Sequence, residues 1–197
     1  MDKKKNESEP RHNITSVVLA LELLKKYSFT EDEINEISRA IRDHRKPHEW
    51  KTRIHQSVYL ADKLFEHMGA YITFRAGAWV GETGEKYSGP DAVYKLLDYC
   101  KGAEERIFLE NNYPKRFEKL TKYQFKWMYD FMDALKDREE WIIDIVVKFF
   151  KVGENNEDLE QAILNFKPSG KKQELWHKET LDYIQGRKFE EFGRMVE

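Results

Sequence analysis

From residue 14 onward the chain falls into stretches of apolar residues at helical spacing, separated by short polar or glycine-rich breaks. In "ITSVVLALELLKKY", Ile14, Val17, Val18, Leu21 and Leu24 recur at three- and four-residue intervals, and Leu19 and Leu23 add a second apolar side. A helix apolar on most sides is expected at the centre of a core. The next stretch has the clearest start in the chain. "TEDE" reads as a capping box, with Thr30 as cap and Glu33 reaching back to its amide. Ile34, Ile37 and Ile41 form its inner stripe, and His44 points the same way. Pro47 disfavours helical geometry just before it, so this helix is expected to end at about His44. A third helix is predicted from Thr52 to Met68, with Val58, Ala61, Leu64, Phe65 and Met68 inward. At 100° per residue, Asp62 lies about 40° from Val58 and about 60° from Phe65, on the margin of that stripe.

Gly69 allows a bend, after which "AYITFRAGAWV" continues as a helix carrying Arg75. "GETGEKYSG" holds three of the ten glycines and reads as a loop. Pro90 then opens a helix at the first position, where proline is favoured, with Val93, Leu96, Leu97 and Cys100 inside. After a break near "NNYP", a long helical stretch runs from Lys115 to about Lys151. It is split at Asp137, where "DREE" reads as a second capping box, and is ended by Gly153. "NEDLEQAILNF" and "LWHKETLDYIQGRKFEEFGRMV" are further helical patterns joined by a "KPSGKK" turn. No segment alternates as a strand should, and there is no internal repeat or low-complexity tract. The fold class is all-α, in one main domain with an extra helical segment.

Composition narrows the class. With 12 Phe, 10 Tyr, 5 Trp and 40% hydrophobic residues in 197, the chain can bury a sizeable core. A net charge of -2 gives no argument for nucleic acid, which favours a clustered basic face. "DKKK" and "GKK" read as solvated basic clusters, and the aromatic run "YQFKWMYDFM" reads as core packing rather than a base-stacking surface. The single Cys100 cannot form an internal disulfide and reads as a buried thiol, in keeping with a reducing compartment. No segment has the length of a membrane span or the form of a signal peptide, so a cytoplasmic location is expected.

Two residues ask for a chemical account. Asp62 on the margin of an apolar stripe is costly unless it is paired or bound to a cation. His44, at the end of the preceding helix, could share a divalent ion with it, because neutral imidazole and carboxylate are ordinary ligands for such ions. A nearby Lys or Arg partner for Asp62, and a helix-dipole preference for His44, account for the same residues with no function. Other motifs fail. "GETGEK" and "SGKK" lack P-loop spacing, and there is no Cys-rich metal site or G-x-S-x-G elbow.

Residues 12–81 resemble the later part of an HD-superfamily metal-dependent phosphohydrolase domain. The pieces that carry the likeness are His12 followed by "SVVLALELLKK", then "FTEDEINEISRAIRDH", then "LADKLFEHMGAYITFRAGAWVGE". The resemblance implies a helical domain that hydrolyses a small phosphate ester or phosphoanhydride, often of a nucleotide, with one or two divalent metals (Mn, Mg, Fe, Ni or Zn). It implies Asp62 as the final metal-ligand aspartate, and His44 as a ligand of a second metal or a contact of the substrate phosphate. It makes His12 the histidine that follows the paired motif. Arg75 would clamp phosphate oxygens. Lys63, beside the aspartate, is a second candidate for the phosphate, and His48 an optional addition.

The departure from the family is as informative as the likeness. No His-Asp dipeptide occurs in the sequence, and "DKKKNESEP" resembles the loop that normally follows it. The chain is therefore expected to begin inside the domain, with residues 1–12 as a polar tail, 13–153 as an HD-like helical domain lacking its usual first helices, and 154–197 as a helical extension. Three explanations stay open: a fragment, a natural remnant that binds without catalysing, or ligands supplied by another chain. The rival to the enzyme is a non-catalytic helical interaction or nucleotide-binding module. Loss of the first helices would uncover Leu19 and Leu23, to be covered by the segment after residue 154 or by a second copy of the chain. Neither a membrane nor a specific nucleic acid is expected as partner.

Overall fold

A computed structural model describes residues 12–44, 52–62, 69–83, 90–98 and 114–197. All regular elements among these residues are helices, as the periodicity requires. No helix among them is long and apolar enough to cross a membrane. The chain divides into two compact units, Met1–Lys63 and Leu64–Glu197. Residues 154–197 belong to the second unit together with the helices before them.

The first unit contains α1 (His12–Leu24), α2 (Glu31–Asp43) and α3 (Arg53–Leu60), with α2 packed against both of the others. The "TEDE" box forms as expected. The Glu33 amide donates to the Thr30 hydroxyl at 3.3 Å, and the Thr30 amide donates to the Glu33 carboxylate at 2.8 Å. Three acidic residues in the first turn and Arg42 in the last complement the helix dipole. Thr52 caps α3 by accepting from the His55 amide at 3.3 Å. Two expectations are corrected here. α1 is not enclosed on most sides: only Val17 is fully buried, while Ile14, Val18, Leu19 and Leu23 are exposed. In α3 Tyr59 and Leu60 are buried, Val58 is half-buried as expected, and Ala61 is exposed where the helix takes π geometry at Ala61 and Asp62. The predicted continuation to Met68 lies outside the described residues.

The second unit is built around α4 (Tyr71–Thr83), preceded by Gly69 at a φ of 77°. It also holds α5 (Pro90–Asp98), a 3-10 turn (Lys115–Phe117), α6 (Glu118–Lys136), α7 (Glu140–Glu154), α8 (Leu159–Asn165), α9 (Lys171–Ile184) and α10 (Lys188–Val196). Pro90 opens α5 as expected, and Val93 and Leu97 are buried; Cys100 and the Leu96 side chain lie outside the described residues. α4 is buried nearly all round, with Ile72, Thr73, Phe74, Ala76, Ala78 and Val80 at most 5% exposed. Its main neighbour is α7, and small residues set their separation. A Cβ on Gly153 would lie 1.9 Å from the Ala78 carbonyl oxygen, and one on Gly81 would lie 2.1 Å from the Phe150 carbonyl oxygen. Gly77 is less tight, with 3.2 Å to Phe149 Cβ.

This packing changes the meaning assigned to Gly153. It does not end its helix, which runs on to Glu154 with Asn155 as cap; it lets two backbones touch. Likewise Gly81 is still helical rather than the start of a loop. The split at Asp137 is present, but "DREE" is not a capping box. Arg138 takes a φ of 52°, and Glu139 precedes α7 without a side-chain cap bond; its carboxylate instead accepts from Trp141 Nε1 at 2.6 Å and from Lys172. The last predicted helix is likewise divided, at Gly186 with a φ of 78°. The aromatic run of α6 is core, as read: Phe125, Met128, Phe131 and Met132 are at most 2% exposed.

A stability series separates these roles. Gly153→Ala and Gly81→Ala should each cost about 2–3 kcal/mol in urea unfolding, because the clash is with backbone that cannot rotate away. Gly193→Ala, in α10 with open space around it, should stabilise by about 0.5–1 kcal/mol.

Candidate functional site

The end of α2 and the end of α3 bring His44 and Asp62 together. His44 is the C-terminal cap of α2, and its side chain is 8% exposed. Its Nδ1 donates to the Ile41 carbonyl oxygen one turn back, which fixes the ring and directs Nε2 outward from the helix end. Asp62, 13% exposed, comes from the widened turn after α3, and its Oδ1 lies 3.8 Å from His44 Nε2. With the Nδ1 proton committed to a carbonyl, Nε2 faces the carboxylate either as a lone pair or with a second proton. Two arrangements are chemically sound: an imidazolium–carboxylate pair, or a neutral imidazole and a carboxylate turned toward a shared cation. A metal-binding histidine ordinarily has its other ring nitrogen held by a carbonyl or carboxylate, as here.

The other residues named from the sequence distribute unevenly. Asn13 Nδ2 donates to the Arg42 carbonyl oxygen at 2.8 Å, which ties the start of α1, where His12 stands, to the His44 end of α2. His48 and Lys63 lie outside the described residues. Arg75 sits on α4 in the second unit, where it pairs with Glu82 at 2.9 Å and lies 5.7 Å from the Trp79 ring centre. Among the described residues there is no group of three or more His, Cys, Asp or Glu side chains able to hold a metal ion. The donor pair fits a cation that takes its remaining ligands from water or a bound molecule, not a fully protein-enclosed ion.

The second unit has polar clusters of its own that sequence reading did not find. Lys188, 11% exposed, sits among Glu179 Oε2 at 2.6 Å, Glu191 Oε2 at 2.7 Å and the Tyr123 hydroxyl oxygen at 3.0 Å, and Tyr123 donates to Glu179. Burial works against the charge, but the bonds the ammonium donates to Glu179, Glu191 and Tyr123 outweigh it and hold Lys188 above its ordinary range. Burial, and then the bond to Glu179, push the Tyr123 phenol up. Gln173 is saturated, donating to the Trp141 carbonyl and Asp144 while accepting from Ser169. His177 meets the Ile163 carbonyl oxygen at 2.7 Å between the rings of Phe74 and Phe166. These groups tie α9 to α6, α7, α8 and α10, and α10 to α6. No motif announces them, because partners such as Tyr123 and Lys188 stand 65 residues apart. A shallow depression lined by Tyr71, Glu160, Tyr183, Gly186 and Phe189 also lies on this unit.

No family model, curated protein or solved structure matches the chain.

The Lys188 cluster fixes a pH dependence. Both Lys188 and Tyr123 titrate higher in the folded chain than in the unfolded one. Their contribution is therefore complete below the unfolded values, about pH 10, and is lost as pH rises toward the folded ones. The stability difference between the native chain and Lys188→Gln, measured by urea unfolding, should stay constant from neutral pH to about pH 10 and narrow above it.

Proposed function

We propose that the chain binds a divalent cation at His44 and Asp62 and acts as a metal-dependent phosphohydrolase on a nucleotide or another small phosphate ester. The observation that carries the cation site is the orientation of His44: one ring nitrogen committed to the Ile41 carbonyl, the other 3.8 Å from a largely buried carboxylate. The phosphohydrolase reading adds the ordered likeness of residues 12–81 to HD-superfamily domains, and the Asn13 bond supports it by tying the start of α1 to the end of α2. His44 would supply a neutral nitrogen, Asp62 an anionic oxygen, and the α2–α3 packing would keep their spacing. A bound divalent ion would supply charge neutralisation and polarisation at a phosphoryl oxygen.

A second reading has its own support. The sequence contains no His-Asp dipeptide, and the described donors number two at this site. Both features favour a module that holds a cation, or a cation with a nucleotide, without turning it over.

Elemental analysis of the purified chain beside His44→Ala and Asp62→Ala tests the site, and phosphate release from nucleoside phosphates with Mn²⁺ or Mg²⁺ tests the activity. Near-stoichiometric Mn, Mg, Fe, Ni or Zn that both variants lose, with metal-dependent phosphate release, is the expected result. Metal bound without turnover would select the non-catalytic module. A chain that binds no metal at any of these ions would overturn both readings.

A further inference from the structure

The depression on the second unit has walls that are mostly aromatic. It measures about 530 Å³ and is lined by Tyr71 from α4, Tyr183 from α9 and Phe189 from α10, together with Glu160 from α8. The Tyr71 and Tyr183 rings lie 5.5 Å apart at 44°, and the Tyr183 and Phe189 rings 6.2 Å apart at 57°. Rings inclined at such angles wall a concavity instead of stacking flat on one another. The turn at Gly186 makes this possible. Its φ of 78° redirects the chain between Tyr183 and Phe189, and the Phe189 ring passes 3.6 Å from where a Cβ would stand. Phe189 itself is 57% exposed.

Charge selects the occupant. Glu160 is exposed, and no described residue forms an ion pair with it. The cations at the α9–α10 turn are committed elsewhere. Arg187 donates to Asp182 at 2.7 Å and to Gln185, and Lys188 is held among Glu179, Glu191 and Tyr123. Among the described lining residues Glu160 is therefore the one charge, and the aromatic rings add the negative faces of their quadrupoles. Such walls repel an anion. A bare ammonium is strongly hydrated and loses that water on entry, whereas a trimethylammonium group is weakly hydrated and offers methyls to the rings. We infer that the depression binds the trimethylammonium group of a small organic cation of the choline type. Tyr71, Tyr183 and Phe189 supply the cation–π contacts, and Glu160 supplies the counter-charge. The volume falls within the range of small-molecule sites, about 300–1,000 Å³. All four residues belong to the second unit, so the inference is independent of the cation site at His44 and Asp62.

Proton NMR of the full chain with choline reads the site directly. Saturation of the protein's aromatic protons should transfer to the N-methyl protons of choline, and that signal should move upfield under the ring currents. Titration should give a millimolar affinity, because the depression stays open to water on one side. The neutral isostere of choline, with carbon in place of nitrogen, should bind at least tenfold more weakly. Glycine betaine should also bind more weakly than choline, because its carboxylate meets Glu160. Phe189→Leu and Glu160→Gln alter exposed positions, so each should weaken choline about five- to tenfold while helical circular dichroism and melting temperature stay unchanged. A short alanine peptide centred on trimethyllysine should bind no more tightly than choline. No saturation transfer at tens of millimolar choline, equal binding of the neutral isostere, or a variant of either kind with unchanged affinity would each overturn the inference. Tenfold tighter binding of the peptide would overturn the assignment to a small molecule.

Discussion

The second unit depends on how closely α4 and α7 approach. Where Gly153 meets the Ala78 carbonyl and Gly81 meets the Phe150 carbonyl, there is no room for even one methyl group. Close approach of two backbones gains dispersion contacts along the whole pair and lets α4 be covered by larger side chains from other helices. Phe74 shows the result. It is fully buried, with Phe149 at 4.8 Å, Phe166 at 5.7 Å and the His177 ring at 6.3 Å between centroids. Rings from α7, from α9 and from the residue that caps α8 thus meet on Phe74. The indole cluster of Trp127, Trp141 and Trp176 similarly joins α6, α7 and α9.

The first unit is organised differently. Its order comes from helix ends: the Thr30–Glu33 box, the Thr52 cap, the Asn13 bond to the Arg42 carbonyl and the His44 bond to the Ile41 carbonyl. Helix termini leave backbone groups that something must satisfy, and here side chains at those termini do so. The candidate site is one such terminus. That arrangement gives His44 a fixed orientation beside Asp62.

Much of the helical order was legible, because apolar spacing and local chemistry are written in adjacent residues. Thr30 with Glu33, Pro90, and the break after Lys136 are all short-range signals. The pairing of His44 with Asp62 was legible too, since both fall on inner margins of neighbouring helices. What failed was whatever depends on distant backbone. Gly153 reads as a stop signal until Ala78 is set against it, and "DREE" reads as a cap until Lys172 and Trp141 take the Glu139 carboxylate. The apolar character of α1 was read correctly but its burial was not, because a pattern reveals what should be covered and not what covers it.

The two units differ in how much apolar material they enclose. Among the described residues the first buries Val17, Ala40, Tyr59 and Leu60, while the second buries a long series headed by Phe74, Phe125, Phe131 and Phe149. Local opening costs less where fewer apolar contacts are lost. Amide hydrogens of α1 to α3 should therefore exchange through sub-global openings, well before those of α4 and α7. Anything that binds only the closed form of that unit suppresses those openings by mass action. The protection of α2 and α3 amides becomes, in that way, a reporter of occupancy that needs no catalytic turnover to be read.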